Sequence, residues 1–243
     1  MSIKKVVIPA AGKGTRMLEL SKDRPKHLIH VLDKPFLYYL LSNLKKAGFE
    51  EIILVIGYHP QMMHQFAEKY RNEFNLKLVN QFDIIGTDRY GTACPIEAVK
   101  KIIGDEQFIS VYGDDLYSVG DLKRMNISDE YCYIAGLKVE DPHNYGVLVK
   151  DGGDFLEKII EKPEEFVGNL INIGLYKFTP EIFKALEKVK LSPRGEYELT
   201  DAISILAEQK KVKIKMIKDY WLDFGKPEDV EKVAEFLKNN HKL

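Results

Sequence analysis

Cysteine is scarce in this sequence, and the two that occur are not arranged for metal or disulfide chemistry. Cys94 and Cys132 are the only ones in 243 residues, and they belong to no CxxC pair or Cys/His cluster. Their spacing excludes a cysteine-based zinc site and does not indicate a disulfide framework. We expect both thiols to be small core residues.

Long apolar runs are also absent. No segment approaches the roughly 20 apolar residues of a membrane span. The apolar stretch at 6–11 is too short for the hydrophobic region of a signal peptide, and it contains Pro9. The sequence therefore predicts a soluble, cytoplasmic protein with no membrane partner.

The chain carries no large excess of charge of either sign. Its 36 Lys and Arg residues and 37 Asp and Glu residues give a formal net charge of -1. This balance excludes a nucleic-acid-binding protein that relies on a basic surface, and no run of like charge marks a tail or arm. A polyanionic substrate would have to be bound by a local group of positive charges.

A chain with 45% apolar and 30% charged residues can bury a large core. No Pro/Gly/Ser-rich linker divides it. We therefore expect one domain over 1–243, with a first half at about 1–116 and a second half at about 117–243.

The hydrophobic pattern of the first half alternates between strands and helices. The apolar run at 6–8 before a glycine-rich turn is typical of a strand buried on both faces. Pro35 and Gly48 bound an apolar periodicity of helical spacing. The other predicted elements are strands at 52–56, 76–79 and 108–112, a helix at 61–70, a loop through Gly91 and a helix ending at Lys101. This alternation predicts an α/β fold with a doubly wound sheet.

The second half has fewer helices between its strands. The predicted strands are 131–139, 146–150 and 173–178, and the predicted helices are 180–189, 198–209 and 227–239. We expect a lobe built on the same sheet rather than a separate domain.

A glycine-rich loop with the sequence AAGKGTR follows the first strand at 10–16. Its glycines would let backbone N–H groups approach phosphate oxygens. The loop is not a Walker A motif, and Met17 occupies the third glycine position of the dinucleotide-binding fingerprint. Lys13, Arg16 and Lys26 would add positive charge beside it. Taken alone, the loop is equally compatible with a solvated turn.

Several short motifs together resemble those of sugar nucleotidyltransferases, in particular the glucose-1-phosphate uridylyltransferases and thymidylyltransferases. The opening carries IPAAGKGTRM at 8–17, RPK at 24–26 and DKP at 33–35. The later motifs are GTA at 91–93, GDD at 113–115, YGV at 145–147, EKP at 161–163, RGEYELTD at 194–201 and WLDFG at 221–225. The resemblance therefore covers nearly the whole chain and is far more specific than the glycine loop.

The resemblance implies a Rossmann-like doubly wound mixed sheet with a sugar-binding lobe on the same sheet. It also implies transfer of a nucleotidyl group from an NTP to a hexose 1-phosphate, with release of pyrophosphate. The opening IPAAG and the late EYELTD favour UTP and glucose 1-phosphate. A dTTP-using thymidylyltransferase, a cytidylyltransferase acting on a non-sugar phosphate and a homo-oligomeric state remain open. Because the sequence ends at Leu243, the C-terminal acyltransferase helix of some relatives is not expected.

The resemblance assigns most site residues to one of the two substrates. For the nucleotide it implies contacts from Ala10, Ala11, Gly12, Lys13, Gly14, Thr15, Arg16, Lys26, Gln81, Gly91 and Thr92. For the sugar phosphate it implies contacts from Gly146, Glu161, Lys162, Asn172, Gly174 and Arg194. Arg16, Lys26 and Lys162 would be the catalytic residues, because transfer between phosphates depends on positioning and on neutralising charge.

Two aspartates are the candidate metal ligands. Asp114 follows the predicted strand at 108–112, at the sheet edge where open α/β folds bind ligands. Asp223 lies between apolar residues late in the chain. By resemblance these carboxylates hold Mg²⁺, while substrate phosphates and water complete its coordination. Asp115 is expected to be only part of a strand-ending turn.

The match is poorest at the nucleobase. Relatives read the base with a glutamine on one loop and the backbone of a following glycine, for which Gln81 and Gly91 are the candidates. Their separation is longer than usual, which indicates an insertion within 82–90. His30 also stands where proline is common.

Two other classes of protein are disfavoured. A glycosyltransferase would carry an Asp-x-Asp metal motif, whereas 114–116 reads DDL. A non-catalytic relative would have no reason to keep the phosphate and metal ligands together, namely Arg16, Lys26, Asp114, Lys162 and Asp223.

Overall fold

The structure, a computed structural model, describes residues 2–240, so the predicted end of the domain at Leu243 lies outside it. The strands in this part of the chain are Lys5–Ala10 (β1), His30–Val31 (β2), Lys34–Pro35 (β3), Glu51–Ile56 (β4), Leu76–Asn80 (β5), Phe108–Val111 (β6), Asp115–Tyr117 (β7), Cys132–Lys138 (β8), Gly146–Lys150 (β9), Leu156–Glu161 (β10), Leu170–Phe178 (β11), Val212–Met216 (β12) and Trp221–Asp223 (β13). The α-helices are Phe36–Lys46 (α1), Pro60–Lys69 (α2), Gln81–Ile85 (α3), Cys94–Ala98 (α4), Lys100–Ile103 (α5), Val119–Met125 (α6), Glu181–Leu186 (α7), Leu199–Glu208 (α8) and Pro227–Asn240 (α9). Two 3₁₀ helices cover Thr15–Ser21 and Lys26–Leu28.

Nine of the strands within residues 2–240 form one mixed sheet. Seven of them follow the order β10-β9-β11-β6-β1-β4-β5, and β8 joins β11 to β12. The first-half strands β1, β4, β5 and β6 are parallel, whereas β11 runs antiparallel to β6 and β8. The expected Rossmann-like mixed sheet is confirmed, and the strands of the second half extend the same sheet.

The central strand β1 is buried on both faces because its apolar side chains alternate between two cores. Val6 and Ile8 pack in one core with the apolar side of α1. Val7 packs in the other core with the apolar side of α8. A parallel strand covered by helices on both faces is the arrangement predicted from the continuous apolar run.

The helices differ from the prediction in four places, one of which is α6, a helix where none was predicted. Instead of an uninterrupted loop through Gly91, the chain forms α3, whose first turn is capped by Asn80 Oδ1 accepting from the Phe82 N–H at 3.1 Å. The helix predicted to end at Lys101 is two short helices, α4 and α5, separated at Val99 (φ -95°, ψ 1°). The helix predicted at 180–189 is confined to α7. Elements of four to six residues are too short to leave a clear helical periodicity.

The strands β7 and β13 form an antiparallel pair outside the main sheet that the sequence pattern does not reveal. Their register places Asp115 opposite Asp223. Asp115 begins β7 and is 5% exposed. Its interpretation as only part of a strand-ending turn is therefore wrong.

The two cysteines lie in the interior. Cys94 in α4 and Cys132 in β8 are buried with free thiols, as expected of core residues. Within residues 2–240, no helix combines the length and the apolar character that crossing a membrane requires.

Candidate active site

Two adjoining cavities of about 260 and 270 Å³ open at the sheet edge where β1 and β6 end. The first cavity is lined by Pro9, Ala11, Gly12, Arg16, Lys26, His27, Gln81, Tyr90, Gly91, Thr92, Pro95, Tyr112, Asp114 and Glu196. The second is lined by Arg16, Thr92, Tyr112, Asp114, Asp115, Asn144, Tyr145, Gly146, Glu161, Lys162, Asn172, Ile173, Arg194, Glu198, Thr200, Trp221 and Asp223. Four residues belong to both walls, namely Arg16, Thr92, Tyr112 and Asp114.

Most residues predicted to contact the nucleotide line the first cavity, but four of the glycine-loop residues do not. The Ala10 side chain is part of the core. Gly14 (φ 69°) precedes the 3₁₀ helix that Thr15 begins, and its carbonyl accepts from Ser21 Oγ at 2.7 Å. The Lys13 side chain does not line the cavity, and its ammonium lies 5.3 Å from the centroid of the Tyr58 ring.

Lys26 and Asp114, predicted to serve a phosphate and a metal ion respectively, form an ion pair with each other. Burial of the Asp114 carboxyl pushes its pKa upward, but the charge of Lys26 and the hydrogen bond from it oppose burial, and the pKa lies below its ordinary value. Asp114 is therefore held as a carboxylate at the wall shared by the two cavities.

Asp115 and Asp223 also line the second cavity, but less positive charge offsets the burial of their carboxyl groups. Burial, followed by the charges of Asp114 and Asp223, raises the pKa of Asp115 well above its ordinary value. Burial, followed by the charge of Asp114, also raises the pKa of Asp223, although Arg16 and Lys26 oppose this rise. A divalent cation would relieve this mutual repulsion of carboxylates.

The donor set fits a cation that takes oxygen ligands from its substrates. Asp114 and Asp223 both line the second cavity and supply carboxylate oxygens, which Mg²⁺ prefers. Among the residues that the structure describes, no group of three or more His, Cys, Asp or Glu side chains is placed to hold a metal ion. Phosphate oxygens and water would have to supply the other ligands, as they do in Mg²⁺ sites that bind phosphorylated substrates.

Five of the six residues predicted to contact the sugar phosphate line the second cavity. Gly146 lies opposite Glu161 in the β9–β10 ladder, and a Cβ at Gly146 would lie 3.0 Å from Glu161 Oε2. Lys162 adopts a left-handed backbone (φ 44°), and its N–H donates to the Tyr145 carbonyl at 3.0 Å. These backbone contacts bring the EKP and YGV motifs to one wall.

Gly174 and Arg194 differ from their predicted roles. Gly174 does not line either cavity; a Cβ there would lie 2.1 Å from the Tyr112 ring, so the glycine admits that ring. Arg194 lines the second cavity, but its guanidinium donates to Glu198 Oε1 at 2.8 Å and lies 3.9 Å from Glu161 Oε1. Glu198 therefore holds the arginine in place.

The structure also brings residues into the site that sequence reasoning missed. Tyr112 contributes to both cavities, and His27 lies in the wall of the first. Tyr112 ends the apolar segment just before Gly113 and Asp114, and His27 follows Lys26, so neighbouring motifs could have indicated both. Glu196 lies within the RGEYELTD motif at 194–201, which marked the segment but did not single out this residue.

His27 is expected to make the protein less stable in mild acid. Burial, followed by the charge of Lys26, lowers the pKa of His27 to about 4 from 6.5. Between these values the unfolded chain binds a proton at this residue and the folded chain does not. The stability is therefore full above pH 6.5 and falls as the pH drops towards 4. From pH 7.5 to pH 5 the loss should be about 2 kcal/mol in the free energy of unfolding.

Urea unfolding at the two pH values, in wild type and His27→Gln, measures this contribution. The variant should lose less stability than wild type between pH 7.5 and pH 5, whatever its absolute stability. His30→Gln is the matched control, because His30 is exposed. Equal pH dependence in wild type and His27→Gln would contradict the prediction.

Comparison with known proteins gives matches along nearly the whole chain. The sequence profile of the nucleotidyl transferase family matches residues 5–240. The bifunctional sugar-1-phosphate nucleotidylyltransferase/acetyltransferase of Sulfurisphaera tokodaii is 37% identical over 236 residues, which cover 97% of this chain and 56% of that protein. The UTP–glucose-1-phosphate uridylyltransferase AglF of Haloferax volcanii is 33% identical over 238 residues, with 95% of each chain covered. The chain spans about half the length of the bifunctional relatives it matches.

A solved structure of UDP-glucose pyrophosphorylase complexed with UDP-glucose has a similar fold. It superposes with a TM-score of 0.83 at 26% sequence identity, covering 98% of this chain and 99% of the other.

Proposed function

This chain belongs to the nucleotidyl transferase family, and we propose that it transfers a uridylyl group from UTP to glucose 1-phosphate, releasing pyrophosphate. Its similarity to a UTP–glucose-1-phosphate uridylyltransferase and to a UDP-glucose complex supports this choice of substrates. The first cavity would bind UTP, and the second would bind the sugar phosphate.

The observation that carries the proposal is the wall common to the two cavities. A reaction between two phosphorylated substrates needs two sites that meet where the phosphates react. Arg16 and Asp114 lie at this junction, and Lys26 is paired with Asp114 there. Positive charge and a carboxylate that can bind a metal ion are thus concentrated at the place where charge would change during transfer.

The reaction would be a direct in-line displacement. A sugar 1-phosphate is mostly dianionic near neutral pH, since its second pKa is about 6, so no general base is required. One of its oxygens bonds to the α-phosphorus of UTP while the bond from that phosphorus to pyrophosphate breaks. Lys162 would orient the attacking phosphate, and Arg16, Lys26 and the glycine-loop amides would hold the triphosphate. Mg²⁺ bound by Asp114 and Asp223 would supply further positive charge for the phosphates.

Gln81 would recognise the base. Its side chain lies in the wall of the first cavity and is 2% exposed, and its Oε1 has no hydrogen-bond partner among the described residues. A buried carbonyl oxygen without a donor favours a ligand that supplies an N–H. Uracil and thymine carry such a donor at N3, whereas cytosine and adenine have an acceptor at the corresponding ring nitrogen.

We expect UTP to be preferred over dTTP by a modest factor, and CTP and ATP to be poor substrates. One methyl group is worth only about 1–3 kcal/mol in a hydrophobic pocket, whereas CTP or ATP would set a ring-nitrogen acceptor opposite Gln81 Oε1 and could pair with it only through a displaced amino group. Gln81→Ala should lower kcat/KM for UTP about tenfold. The measurement is pyrophosphate release from UTP, dTTP, CTP, ATP and GTP with several hexose 1-phosphates.

Gln61→Ala is the matched control, since Gln61 is exposed on α2. Its ranking of the nucleotides should equal that of wild type. A wild type that prefers ATP, or an unchanged ranking in Gln81→Ala, would contradict the role of Gln81. Strict use of dTTP would favour a thymidylyltransferase.

A further inference from the structure

Three hydrogen-bonding side chains form a series behind the wall that the cavities share. Asn172 Nδ2 donates to the Tyr176 hydroxyl at 2.8 Å, and the Tyr176 hydroxyl is 3.2 Å from that of Tyr112. Tyr112 lines both cavities and Asn172 lines the second, whereas Tyr176 is fully buried and lines neither of them. Tyr176 therefore connects two cavity residues without reaching the cavities itself.

The backbone sets the direction of these hydrogen bonds. The Gly174 N–H donates to Asn172 Oδ1 at 3.0 Å. A backbone N–H can only donate, so the amide oxygen faces Gly174 and the amide nitrogen faces Tyr176. That nitrogen can also only donate, so the Tyr176 oxygen accepts from it and the Tyr176 proton is donated to the Tyr112 oxygen.

The hydroxyl of Tyr112 is left with its own proton to donate. The part of the chain that the structure describes offers no acceptor for it in hydrogen-bonding geometry. Burial raises the pKa of Tyr176 to about 12, so Tyr176 keeps the proton it donates at neutral pH. The series thus ends in a hydrogen-bond donor on Tyr112, a residue that lines both cavities.

The positions of both rings are fixed by packing. The Tyr112 N–H donates to the Gly174 carbonyl at 2.9 Å, and the φ of 70° at Gly174 is one that glycine adopts readily. The Tyr112 and Tyr176 rings meet edge to face with centroids 5.9 Å apart, and Tyr176 stacks on Phe178 at 5.2 Å. Neither hydroxyl can move far without disturbing the core.

We propose that Tyr176 is a positioning residue, which together with Asn172 orients the Tyr112 hydroxyl so that it donates a hydrogen bond to an acceptor oxygen of the sugar phosphate. This inference rests on the proposed function. Without the Tyr176 hydroxyl, the Tyr112 hydroxyl would be free to turn its proton away from the substrate. Binding of the sugar phosphate would then weaken, whereas binding of the nucleotide would not change.

A double-mutant cycle with Tyr112→Phe and Tyr176→Phe tests the coupling. With glucose 1-phosphate as the varied substrate, Tyr112→Phe should raise KM about tenfold and Tyr176→Phe about threefold. Because Tyr176 acts through Tyr112, the double variant should match Tyr112→Phe alone. The KM for UTP should stay within about twofold of wild type in all three. A purely structural role would instead give additive effects on both substrates.

Tyr133→Phe is the matched control, since the Tyr133 hydroxyl donates to Asp129 at 2.7 Å on the neighbouring strand β8. Tyr133 lines neither cavity, and its variant should keep the kinetic constants of wild type. Thermal unfolding of each variant checks that it folds.

Asn172→Asp provides a second test that keeps the Tyr176 ring. An aspartate accepts from Gly174 and also from Tyr176, so it reverses the direction of the series. Its effect on KM for glucose 1-phosphate should fall in the Tyr176→Phe background, whereas a direct effect of the added charge would persist there. If Asn172→Asp and Tyr176→Phe have additive effects on KM for glucose 1-phosphate in an enzyme that is active, the inference about Tyr176 is wrong and the proposed function stands. A wild type that turns over no pair of NTP and hexose 1-phosphate would overturn the proposed function and this inference with it.

Discussion

Replacement of Asp223 by asparagine is expected to lower kcat at saturating Mg²⁺ by about two to three orders of magnitude. The amide keeps the size of the side chain but loses the negative charge that would hold the cation against the phosphates. Since burial and the charge of Asp114 already raise the pKa of Asp223, an uncharged side chain is compatible with the fold. The variant should therefore unfold at or above the wild-type temperature while turnover collapses.

Asp114→Asn should reduce kcat to a similar extent, but the cause of its effect is harder to assign. Asp114 is paired with Lys26, so its loss also leaves an ammonium group without a partner.

Asp219→Asn is the control for Asp223→Asn, because Asp219 is bound to Arg124 and lines neither cavity. Turnover measured over a range of Mg²⁺ concentrations separates weaker metal binding from lost catalysis. Normal Mg²⁺-dependent turnover in both Asp223→Asn and Asp114→Asn would overturn the metal assignment.

The central sheet could be predicted because its signals are local. The continuous apolar run at 6–8, followed by a glycine loop, identifies a buried strand, and the run at 52–56 identifies its parallel neighbour. Helix α1 could also be predicted, because five of its apolar residues occur at helical spacing, and all five are buried in the structure. These patterns need no knowledge of which distant segment packs against them.

The β7–β13 pair could not be predicted, for the opposite reason. Each strand has three residues, and β13 is only partly buried, so neither shows a convincing alternation. What defines the pair is the register of Asp115 against Asp223, a long-range contact. The sequence motifs therefore indicated two candidate metal ligands but not the third carboxyl group beside them.

The same limit applies to the wall of the second cavity. Thr92 Oγ1 accepts from the Leu199 N–H at 2.9 Å, and Glu198 binds Arg194, so the two halves of the chain meet around the start of α8. A motif read in isolation cannot show that its arginine already has a carboxylate partner. Sequence order supplied the residues of the site, whereas their mutual contacts required the fold.

The two lysines that would bind phosphate should separate the two substrates. Lys162 lies in the wall of the second cavity and Lys26 in that of the first. Lys162→Ala should lower kcat/KM for the sugar phosphate by about 10- to 100-fold, the worth of a hydrogen bond between charged groups, with little change in KM for the NTP. Lys26→Ala should do the reverse. Initial rates with each substrate varied in turn measure the two effects.

Lys162→Ala is the more informative of the two substitutions because the backbone conformation at residue 162 fixes the position of Cβ. The left-handed φ of 44° is held between β10 and Pro163, and alanine tolerates that backbone no better than lysine. The loss in Lys162→Ala therefore reports the ammonium group rather than a released strain. Lys158→Ala, on the exposed side of the same strand, should leave both KM values unchanged. If Lys162→Ala instead raised KM for the NTP and spared the sugar phosphate, the assignment of the two cavities would have to be exchanged, because the ammonium would then serve the triphosphate.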